Sequence, residues 1–379
     1  MKRLCYVSTS ELMITAFLGD QIRAACAHYA VTIVTHSDDL PALQARFPAA
    51  TLEPLTIERK PAPWRDLRAL WVLTRLFRHE RYDLVHAVSP KGGLLSMLAG
   101  LFARTRVRIF VFTGQVWFNR HGFARWFFKT IDRVIIACAT HVVVDSPSQR
   151  DYMVEQGMAA REALIVIGKG SICGIDCTRF KPDPDARAAA RARFGVPDAA
   201  CLLLYLGRLG PEKGLLDLCA AFRALRERGI DAWLAFVGPD EMNLEAQAPE
   251  LLGAAHDRVR FHGYTAAPER FFAAADVLCL PSYREGFGNV VIEAAACGVP
   301  AVASRIYGVT DAVADGETGL LHPARDPAAI AALLERLIQE PALRRRLGEA
   351  ARVRACSDFS MAGITQAVLD LYASALARR

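Results

Sequence analysis

The sequence predicts an α/β protein built from two doubly wound parallel-sheet domains, and three observations support this prediction. A chain of 379 residues exceeds the roughly 250–300 residues at which a single hydrophobic core stops growing. Short apolar runs alternate with longer helical patterns, as where RLCYVS is followed by AFLGDQIRAACAHY and then VTIVT. The alternation restarts near residue 201 with the buried strand pattern CLLLYLG. Two tandem domains facing a cleft are therefore expected.

The predicted boundaries follow from a change in composition between the two halves. The segment RFKPDPDARAAARARFGVPDAA, residues 179–200, is rich in proline and charge. We therefore predict a first domain over residues 1–178 and a second over 179–358. The C-terminal segment 359–379 has an amphipathic helical pattern and is expected to pack back on the first domain.

Composition places the chain among globular proteins, with 53% hydrophobic and 23% charged residues. Its longest nearly apolar runs, LLSMLAGLFA from Leu94 and VIIACATHVVV from Val134, fall short of the roughly 20 residues that span a bilayer. The N-terminal MKRLCYVSTSE lacks the apolar stretch of a secretory signal. These features predict a cytoplasmic protein.

The ten cysteines mostly lie in apolar stretches, and no CxxC pair is present. They are expected to act as small buried side chains in a reducing compartment. Cys173 and Cys177 form the one closely spaced pair in a loop-like region, and they are a weak candidate for a metal or redox site.

Charge is uneven along the chain. Residues 1–175 hold 22 Lys and Arg against 14 Asp and Glu, whereas the remainder holds 24 against 26. A basic half suits nucleic acid, an acidic membrane surface or a phosphorylated acceptor. No helix-turn-helix, RNP or zinc-finger pattern accompanies the charge, which disfavours nucleic acid.

The loop GRLGPEKG, residues 207–214, is the first candidate site. Arg208 and Lys213 lie beside the predicted start of a helix near Leu215. Because a helix N-terminus carries about half a positive charge, two added cations favour a diphosphate. The spacing differs from the Walker A pattern, so ATP hydrolysis is not indicated. The alternative is an exposed loop with two solvated cations.

The stretch REGFGNVVIEA, residues 284–294, is the second candidate site. Gly286 and Gly288 permit close backbone approach, and a helix is predicted from Asn289. Glu285 and Glu293 would then both reach one ligand over the helix start. The alternative is a pair of solvated acids stabilised by the helix dipole.

The third candidate is VRFHGYT, residues 259–265, a strand end at which Gly263 would let a planar ring approach the backbone. His262 is interpreted as a strand-face histidine. The three loops lie in one half of the chain, in an order that suits a nucleotide-sugar.

In this order and spacing, GRLGPEKG, VRFHGY and EGFGNVVIE resemble the donor half of retaining glycosyltransferases with the GT-B fold, in the group called family 4. The fold implied is two Rossmann-like domains. The resemblance implies that Arg208 and Lys213 hold the donor diphosphate, that Glu285 binds sugar hydroxyls and that Glu293 binds the ribose. The implied catalytic residues are Arg208, Lys213 and Glu285, and the implied donor-binding residues are Gly207, Gly263, Tyr264, Gly286, Phe287, Gly288, Asn289 and Glu293. No metal is implied, and retention would proceed by a same-face displacement through an ion pair.

In the first half, HAVSPKGGLLSMLAG, FTGQVWFNRHGFARW and GKGSICGID are similar to a bacterial subset that extends undecaprenyl-diphosphate-linked sugars for surface polysaccharide or glycan assembly. This implies a nucleotide-sugar donor, with a UDP-linked HexNAc favoured, and a lipid-diphosphate-linked saccharide acceptor. The implied acceptor-side residues are Lys91, Gly92, Thr113, Gly114 and Gln115. Two alternatives stay open: a UDP-sugar epimerase of the same fold, and a non-catalytic partner subunit.

Two segments also predict peripheral association with the inner face of the cytoplasmic membrane. Within residues 61–82, Leu67, Leu70, Trp71, Leu76 and Phe77 alternate with Arg65, Arg68, Arg75 and Arg78, and ARWFFKTIDR adds Trp126, Phe127, Phe128 and Lys129. Basic residues beside aromatic ones can dock on anionic lipid. The alternative is ordinary packing helices with basic outer faces.

Overall fold

The computed structural model describes residues 1–58 and 62–377, and it confirms an α/β fold with two parallel sheets. The chain divides into two compact units: residues 1–174 together with the segment from 361, and residues 175–360. Pro61, which opens the first predicted membrane segment, and Arg378 and Arg379, which end the predicted C-terminal helix, lie outside the described residues.

The first unit holds a seven-stranded sheet in the order β3-β2-β1-β4-β5-β6-β7, with every neighbouring pair parallel. Its elements are β1 (Arg3–Val7), α1 (Gly19–Cys26), β2 (Ala30–Thr35), α2 (Leu40–Arg46), β3 (Thr51–Pro54), α3 (Pro63–Glu80), β4 (Leu84–Val88), α4 (Pro90–Phe102), β5 (Val107–Phe112), α5 (Gly122–Cys138), β6 (His141–Val144), α6 (Pro147–Glu155), β7 (Leu164–Val166) and the C-terminal α15 (Met361–Ala377). A π-helical turn, Met13–Phe17, precedes α1, and a 3-10 turn, Arg161–Ala163, precedes β7.

Side chains of this sheet alternate between two hydrophobic clusters, because successive strand residues point to opposite faces. In β1, Tyr6 joins the cluster that contains Ile22 of α1 and Val368 of α15. Its neighbour Val7 joins the cluster that contains Leu73 of α3. Helices therefore cover both faces, as a doubly wound fold requires.

Helix α15 is joined to this sheet by a buried polar contact. The Tyr372 hydroxyl donates to the Tyr6 hydroxyl at 3.0 Å, and it also lies within hydrogen-bond distance of His86 Nδ1. Burial lowers the pKa of His86 to about 3, so its ring is neutral at physiological pH.

The second unit holds a six-stranded parallel sheet in the order β10-β9-β8-β11-β12-β13. Its elements are α7 (Pro184–Phe194), β8 (Cys201–Leu206), α8 (Leu215–Glu227), β9 (Ala232–Val237), α9 (Leu244–Leu252), β10 (Val259–His262), α10 (Pro268–Ala274), β11 (Val277–Leu280), α11 (Asn289–Ala296), β12 (Ala301–Ser304), α12 (Val309–Ala312), β13 (Gly319–His322), α13 (Pro327–Gln339) and α14 (Pro341–Asp358). The 3-10 turns Pro211–Lys213 and Gly253–Arg258 precede α8 and β10.

Strand order reverses at one place in each sheet, between β1 and β4 in the first and between β8 and β11 in the second. Connections leave these neighbouring strands in opposite directions, which opens a crevice at their carboxyl ends where ligands bind in doubly wound folds. Candidate residues should therefore be sought in the loops that follow these four strands.

A disulfide between Cys177 and Cys356 corrects the expectation that the cysteines are reduced. Ile175 pairs with Ser360 in an isolated parallel bridge, and its amide donates to the Phe359 carbonyl at 2.7 Å. These contacts bring the two ends of the second unit together across 179 residues of sequence, so local spacing gave no sign of the pairing. The other eight cysteines lie outside this bond, and six of them are buried.

We predict that Cys356→Ser lowers the thermal unfolding midpoint, because the bond restricts an unfolded loop of 179 residues and such cross-links contribute about 2–4 kcal/mol. Thermal unfolding monitored by circular dichroism checks this. Dithiothreitol should bring the wild-type midpoint to that of the variant and leave the variant unchanged. Cys173→Ser, at a cysteine outside this disulfide, is the control. A wild-type midpoint insensitive to reduction would contradict the prediction.

Candidate functional site

The loops that follow β8 and β11 are joined to each other at the strand-order reversal of the second sheet. The Tyr283 amide donates to the Glu212 carbonyl at 2.9 Å. A β-carbon at Gly214 would overlap the Pro281 carbonyl oxygen, and Gly214 also has a φ of 66°. Only glycine satisfies both conditions. The two candidate loops are therefore one structural feature.

Lys213 and Glu285 form an ion pair between these loops. Lys213 Nζ lies 2.6 Å from Glu285 Oε1, and the side chains are only 21% and 15% exposed. Ser282 Oγ donates to the same carboxylate oxygen at 2.8 Å. The sequence predicted both charged residues as ligand contacts but did not predict that they contact each other or that Ser282 supports them.

Arg208 lies at the outer end of the β8 loop and is 56% exposed. Its guanidinium Nη1 lies 2.8 Å from Glu241 Oε2, in the loop after β9. The Tyr205 hydroxyl donates to the Arg208 carbonyl at 2.8 Å, which fixes the backbone of the loop next to Gly207. Glu241 and Tyr205 were not found from the sequence, since neither lies in a recognised motif.

Two further contacts hold the β11 loop, one to the β8 loop and one to α8. The Arg284 guanidinium forms an ion pair with Glu212 at 2.5 Å. The Tyr283 hydroxyl donates to Asp217 Oδ2 at 2.8 Å, and the Arg325 guanidinium lies 4.0 Å from the centre of the Tyr283 ring. The loop thus has several anchors on neighbouring elements.

The glycine turn before α11 is shaped by two packing contacts. Phe287 is 1% exposed and packs on Phe359, with ring centroids 5.2 Å apart. A β-carbon at Gly308 would overlap the Gly286 carbonyl oxygen, so the loop after β12 lies directly on this turn. Phe287 therefore acts as an anchor, and only its backbone is placed to meet a ligand. Gly288 caps α11, which begins at Asn289 as predicted.

Glu293 lies on α11 and is partly buried. The pKa of this carboxyl is raised to about 7, chiefly by burial; the Arg179 guanidinium opposes the shift, and the nearby Glu269 carboxylate adds to it. Among the described residues, no hydrogen-bond donor reaches the Glu293 carboxylate. A partly desolvated acid without a described donor suits an external hydroxyl group.

The neighbours of Glu293 connect it to the loop after β10. Arg179 Nη2 donates to Glu269 Oε2 at 2.8 Å and to the Ala266 carbonyl at 3.2 Å. In that loop Tyr264 is 68% exposed, and the space around Gly263 is open for at least 4 Å beyond a β-carbon. His262 packs on Phe271 at 4.8 Å and is a strand-face residue in this structure.

In the first unit, the predicted residues Lys91 and Gly92 lie at the strand-order reversal, directly after β4. Lys91 Nζ lies 2.6 Å from Asp66 Oδ1 of α3. Gly92 packs against Ser89 and Thr9, and the Thr9 hydroxyl donates to the Ser89 hydroxyl at 3.1 Å. Ser89 has a φ of 75°, a strained value for a residue with a side chain and one that often marks a functional loop.

The loop after β5 corrects one predicted acceptor contact. Gln115 is fully buried, where its Nε2 contacts Met153 Sδ at 3.2 Å and its Oε1 accepts from Gln149 at 3.3 Å. It supports the loop from inside and is not exposed to an acceptor. Thr113 is half-buried, and Gly114 turns the chain with a φ of 102°.

The two predicted membrane segments are helices α3 and α5, but only part of each is exposed. Phe77 is buried in the core, and Leu70, Leu76 and Phe128 are partly buried against it, which corrects their assignment to an outer surface. The large apolar side chains that remain exposed on these helices are Trp64, Leu67, Trp71, Phe123, Trp126 and Phe127, with Val134 farther along α5. None of the described helices is both long and apolar enough to cross a membrane.

On α5 the exposed aromatics form a cluster: Phe123 lies 5.5 Å from Trp126 and 6.2 Å from Phe127 between ring centroids. The Arg120 guanidinium lies 4.7 Å from the ring of Phe128, whose centroid is 5.4 Å from that of Phe127, and Lys129 Nζ lies 5.4 Å from the buried Trp117 ring. Across the described ranges, no group of three or more His, Cys, Asp and Glu side chains is placed to hold a metal ion.

Two family models match the chain, and together they cover most of both units. Residues 14–170 match the model described as "Glycosyl transferase 4-like domain". Residues 186–354 match the model described as "Glycosyl transferases group 1".

Among curated relatives, the capsular polysaccharide biosynthesis glycosyltransferase CapM of Staphylococcus aureus is 27% identical over 84% of this chain and 83% of its own length. A D-inositol 3-phosphate glycosyltransferase of Streptomyces avermitilis is 35% identical over 64% of this chain, which spans 53% of that protein.

Two solved structures resemble the chain over nearly its whole length. HepE of Anabaena, solved in complex with UDP and glucose, has a TM-score of 0.82 at 21% identity, covering 99% of this chain and 100% of HepE. Sucrose-phosphate synthase of Thermosynechococcus elongatus has a TM-score of 0.82 at 24% identity and full coverage of both chains. With both halves matched by glycosyltransferase models and both sheets by these structures, the chain is a glycosyltransferase of the GT-B fold, with a glycosyl transferase 4-like domain followed by a group 1 domain.

Proposed function

We propose that the protein is a retaining glycosyltransferase that moves a sugar, favoured as a HexNAc, from a UDP-sugar to a lipid-diphosphate-linked saccharide in surface polysaccharide or glycan assembly. One observation supports the donor site most strongly. The Lys213–Glu285 pair lies at the strand-order reversal of the second sheet, in loops held together by Gly214 and Tyr283. This is the position at which doubly wound folds bind nucleotides.

In this proposal Lys213 and Arg208 bind the diphosphate of the donor. Both side chains follow β8, and the first turn of α11 adds backbone N–H groups near Gly286 and Gly288. When the bond to the sugar breaks, negative charge develops on the departing nucleotide diphosphate. Cations and helix amides already in place stabilise that charge without reorganising, and no metal is needed for it.

Glu285 is proposed to accept hydrogen bonds from sugar hydroxyls. Its Oε1 is already bound to Lys213 and Ser282, which fixes the carboxylate in one orientation. Lys213 would thereby connect the sugar site to the diphosphate site, since it contacts Glu285 and is proposed to bind the diphosphate. We assign Glu285 no nucleophilic role, and retention is proposed to proceed by same-face displacement through an ion pair.

Glu293 is proposed to accept hydrogen bonds from the ribose hydroxyls, and the loop at Gly263 and Tyr264 is proposed to lie by the base. Three features support this arrangement: the unusual pKa of Glu293, its link through Arg179 to the loop after β10, and the open space at Gly263. UDP is favoured over GDP because HepE, a structural relative, was solved with UDP.

The acceptor is proposed to bind the first unit near Lys91, Gly92, Thr113 and Gly114. These residues follow β4 and β5, at the carboxyl edge of the first sheet. A role in surface polysaccharide assembly is supported by the similarity to CapM, a glycosyltransferase of capsular polysaccharide biosynthesis. The saccharide would be carried on a lipid, so we further propose that exposed aromatics of α3 and α5, with their flanking basic residues, bind the inner face of the cytoplasmic membrane.

The experiment that tests this function uses purified protein with a panel of UDP- and GDP-sugars and a lipid-diphosphate-linked sugar acceptor. Nucleotide release and a product heavier by one sugar are expected only when donor and acceptor are both present. Conversion of a UDP-sugar without acceptor would indicate the epimerase alternative. No nucleotide release with any pair would contradict the proposal.

We predict that Lys213→Ala lowers the rate of sugar transfer by about 10²–10³-fold, because a preorganised donor to the developing charge is removed. Transfer kinetics with saturating acceptor provide the measurement. Lys181→Ala, at an exposed lysine of the same unit, is the matched control and should retain the wild-type rate. Wild-type transfer by Lys213→Ala would rule out this assignment.

We also predict that the affinity for UDP-glucose rises from pH 6 to pH 8. The folded-state pKa of Glu293 is raised to about 7, so the carboxylate that accepts ribose hydroxyls forms only across this range. Isothermal titration calorimetry is suitable because the diphosphate diester of UDP-glucose does not titrate there. In Glu293→Gln the affinity should be weak and independent of pH.

The raised pKa of Glu293 also makes the stability of the folded protein depend on pH. The folded state holds the Glu293 proton more tightly than the unfolded state, so the carboxyl destabilises the protein as pH rises from its ordinary pKa through about 7. Glu293→Gln should therefore have a higher unfolding midpoint than wild type at pH 8, and the difference should shrink at pH 5. Glu250→Gln, at an exposed acid, is the control. A pH-independent difference would refute this account of Glu293.

For the membrane surface, we predict co-sedimentation with liposomes that contain anionic lipid at low salt, and weaker binding by Trp126→Ser. Removing an exposed aromatic from the α5 cluster lowers the apolar area that enters the interface. Leu216→Ser, at an exposed apolar residue of the second unit, is the control. The proposed membrane role should be dropped if the wild-type protein fails to bind anionic liposomes at low salt.

A further inference from the structure

We infer that Glu241 is an internal stand-in for the donor diphosphate: it binds Arg208 while the site is empty and is displaced when the nucleotide binds. This inference rests on the proposed function, because it assigns a competitor to a proposed diphosphate contact. Glu241 is then a positioning residue that sets how tightly the nucleotide is held and how readily it leaves.

Backbone hydrogen bonds hold the loops of Arg208 and Glu241 side by side. The Gly207 amide donates to the Val237 carbonyl at 2.9 Å, and the Leu209 amide donates to the Pro239 carbonyl at 2.8 Å. The Glu241 amide in turn donates to the Leu209 carbonyl at 3.0 Å. These contacts extend the β8–β9 pairing past the ends of both strands. The acid is therefore placed beside Arg208 by the fold itself.

The Arg208–Glu241 pair is much more exposed than the neighbouring Lys213–Glu285 pair. Its side chains are 56% and 45% exposed, against 21% and 15% for the inner pair. An exposed ion pair contributes little free energy, because water competes for both partners. A nucleotide diphosphate carries more negative charge than one carboxylate and accepts hydrogen bonds from several oxygens. It would therefore replace Glu241 at a small energetic penalty.

A carboxylate that stayed beside Arg208 would repel the bound diphosphate, so movement of Glu241 into solvent follows from like-charge repulsion. The adjacent Asp240 cannot take this role. Its Oδ1 accepts from the Met242 amide at 3.2 Å and its Oδ2 from the Glu245 amide at 3.0 Å. Those hydrogen bonds lower the pKa of Asp240 and hold it at the start of α9.

The test measures UDP affinity by isothermal titration calorimetry for wild type, Glu241→Gln and Glu245→Gln. Loss of the competitor should lower the dissociation constant of Glu241→Gln for UDP by about two- to five-fold, as expected for removal of one exposed ion pair. Uridine, which has no phosphate, should bind wild type and Glu241→Gln equally. Glu245→Gln is the control, because it also removes one negative charge but lies on α9, outside the Arg208–Glu241 pair. Its dissociation constant for UDP should match that of wild type.

A double-mutant cycle with Arg208→Ala separates this inference from the proposed function. If Glu241 acts through Arg208, Glu241→Gln should have no effect once Arg208 is absent. The inference is overturned if Arg208→Ala weakens UDP binding while Glu241→Gln leaves it unchanged or weaker, a result that keeps the proposed function intact. If wild type binds no UDP, or if Arg208→Ala binds it normally, the proposed donor site fails and the inference fails with it.

Discussion

The ion pair between Lys213 and Glu285 is the contact on which the rest of the candidate site depends. It joins the loops after β8 and β11, the two strands between which the chain order of the second sheet reverses. Gly214 permits this approach because no β-carbon fits against the Pro281 carbonyl. Once the two loops are fixed, the start of α11 and the glycine turn before it have a defined position. The loops GRLGPEKG and REGFGNVVIEA, which are separate motifs in the sequence, therefore form one surface.

The two cation–carboxylate pairs of this surface lie at different depths and differ sharply in exposure. The inner pair orients a carboxylate, and the outer pair is open to exchange with an incoming anion. Glu293 is a third case, since it is partly buried without a described donor and its pKa is raised to about 7. A group that destabilises the folded protein at neutral pH is expected at a site selected for binding.

Local patterns in the sequence were sufficient for the parallel α/β fold and for the start of α11 at Asn289, because hydrophobic period and turn residues act over short distances. Contacts between distant segments were not accessible in this way. The sequence pattern places Phe77 and Gln115 at the surface, yet packing buries both. The Cys177–Cys356 bond and the Arg208–Glu241 pair likewise join segments whose spacing carries no signal. The sequence pattern therefore located the candidate loops, and only the three-dimensional structure identified the residues that they contact.

A crystal structure of the protein with UDP-glucose tests the central claim most directly. The account predicts diphosphate oxygens within about 3.2 Å of Lys213 Nζ, ribose hydroxyls on the Glu293 carboxylate, and glucose hydroxyls on Glu285. A nucleotide bound away from the loops after β8 and β11, or a diphosphate that contacts neither Lys213 nor Arg208, would contradict it.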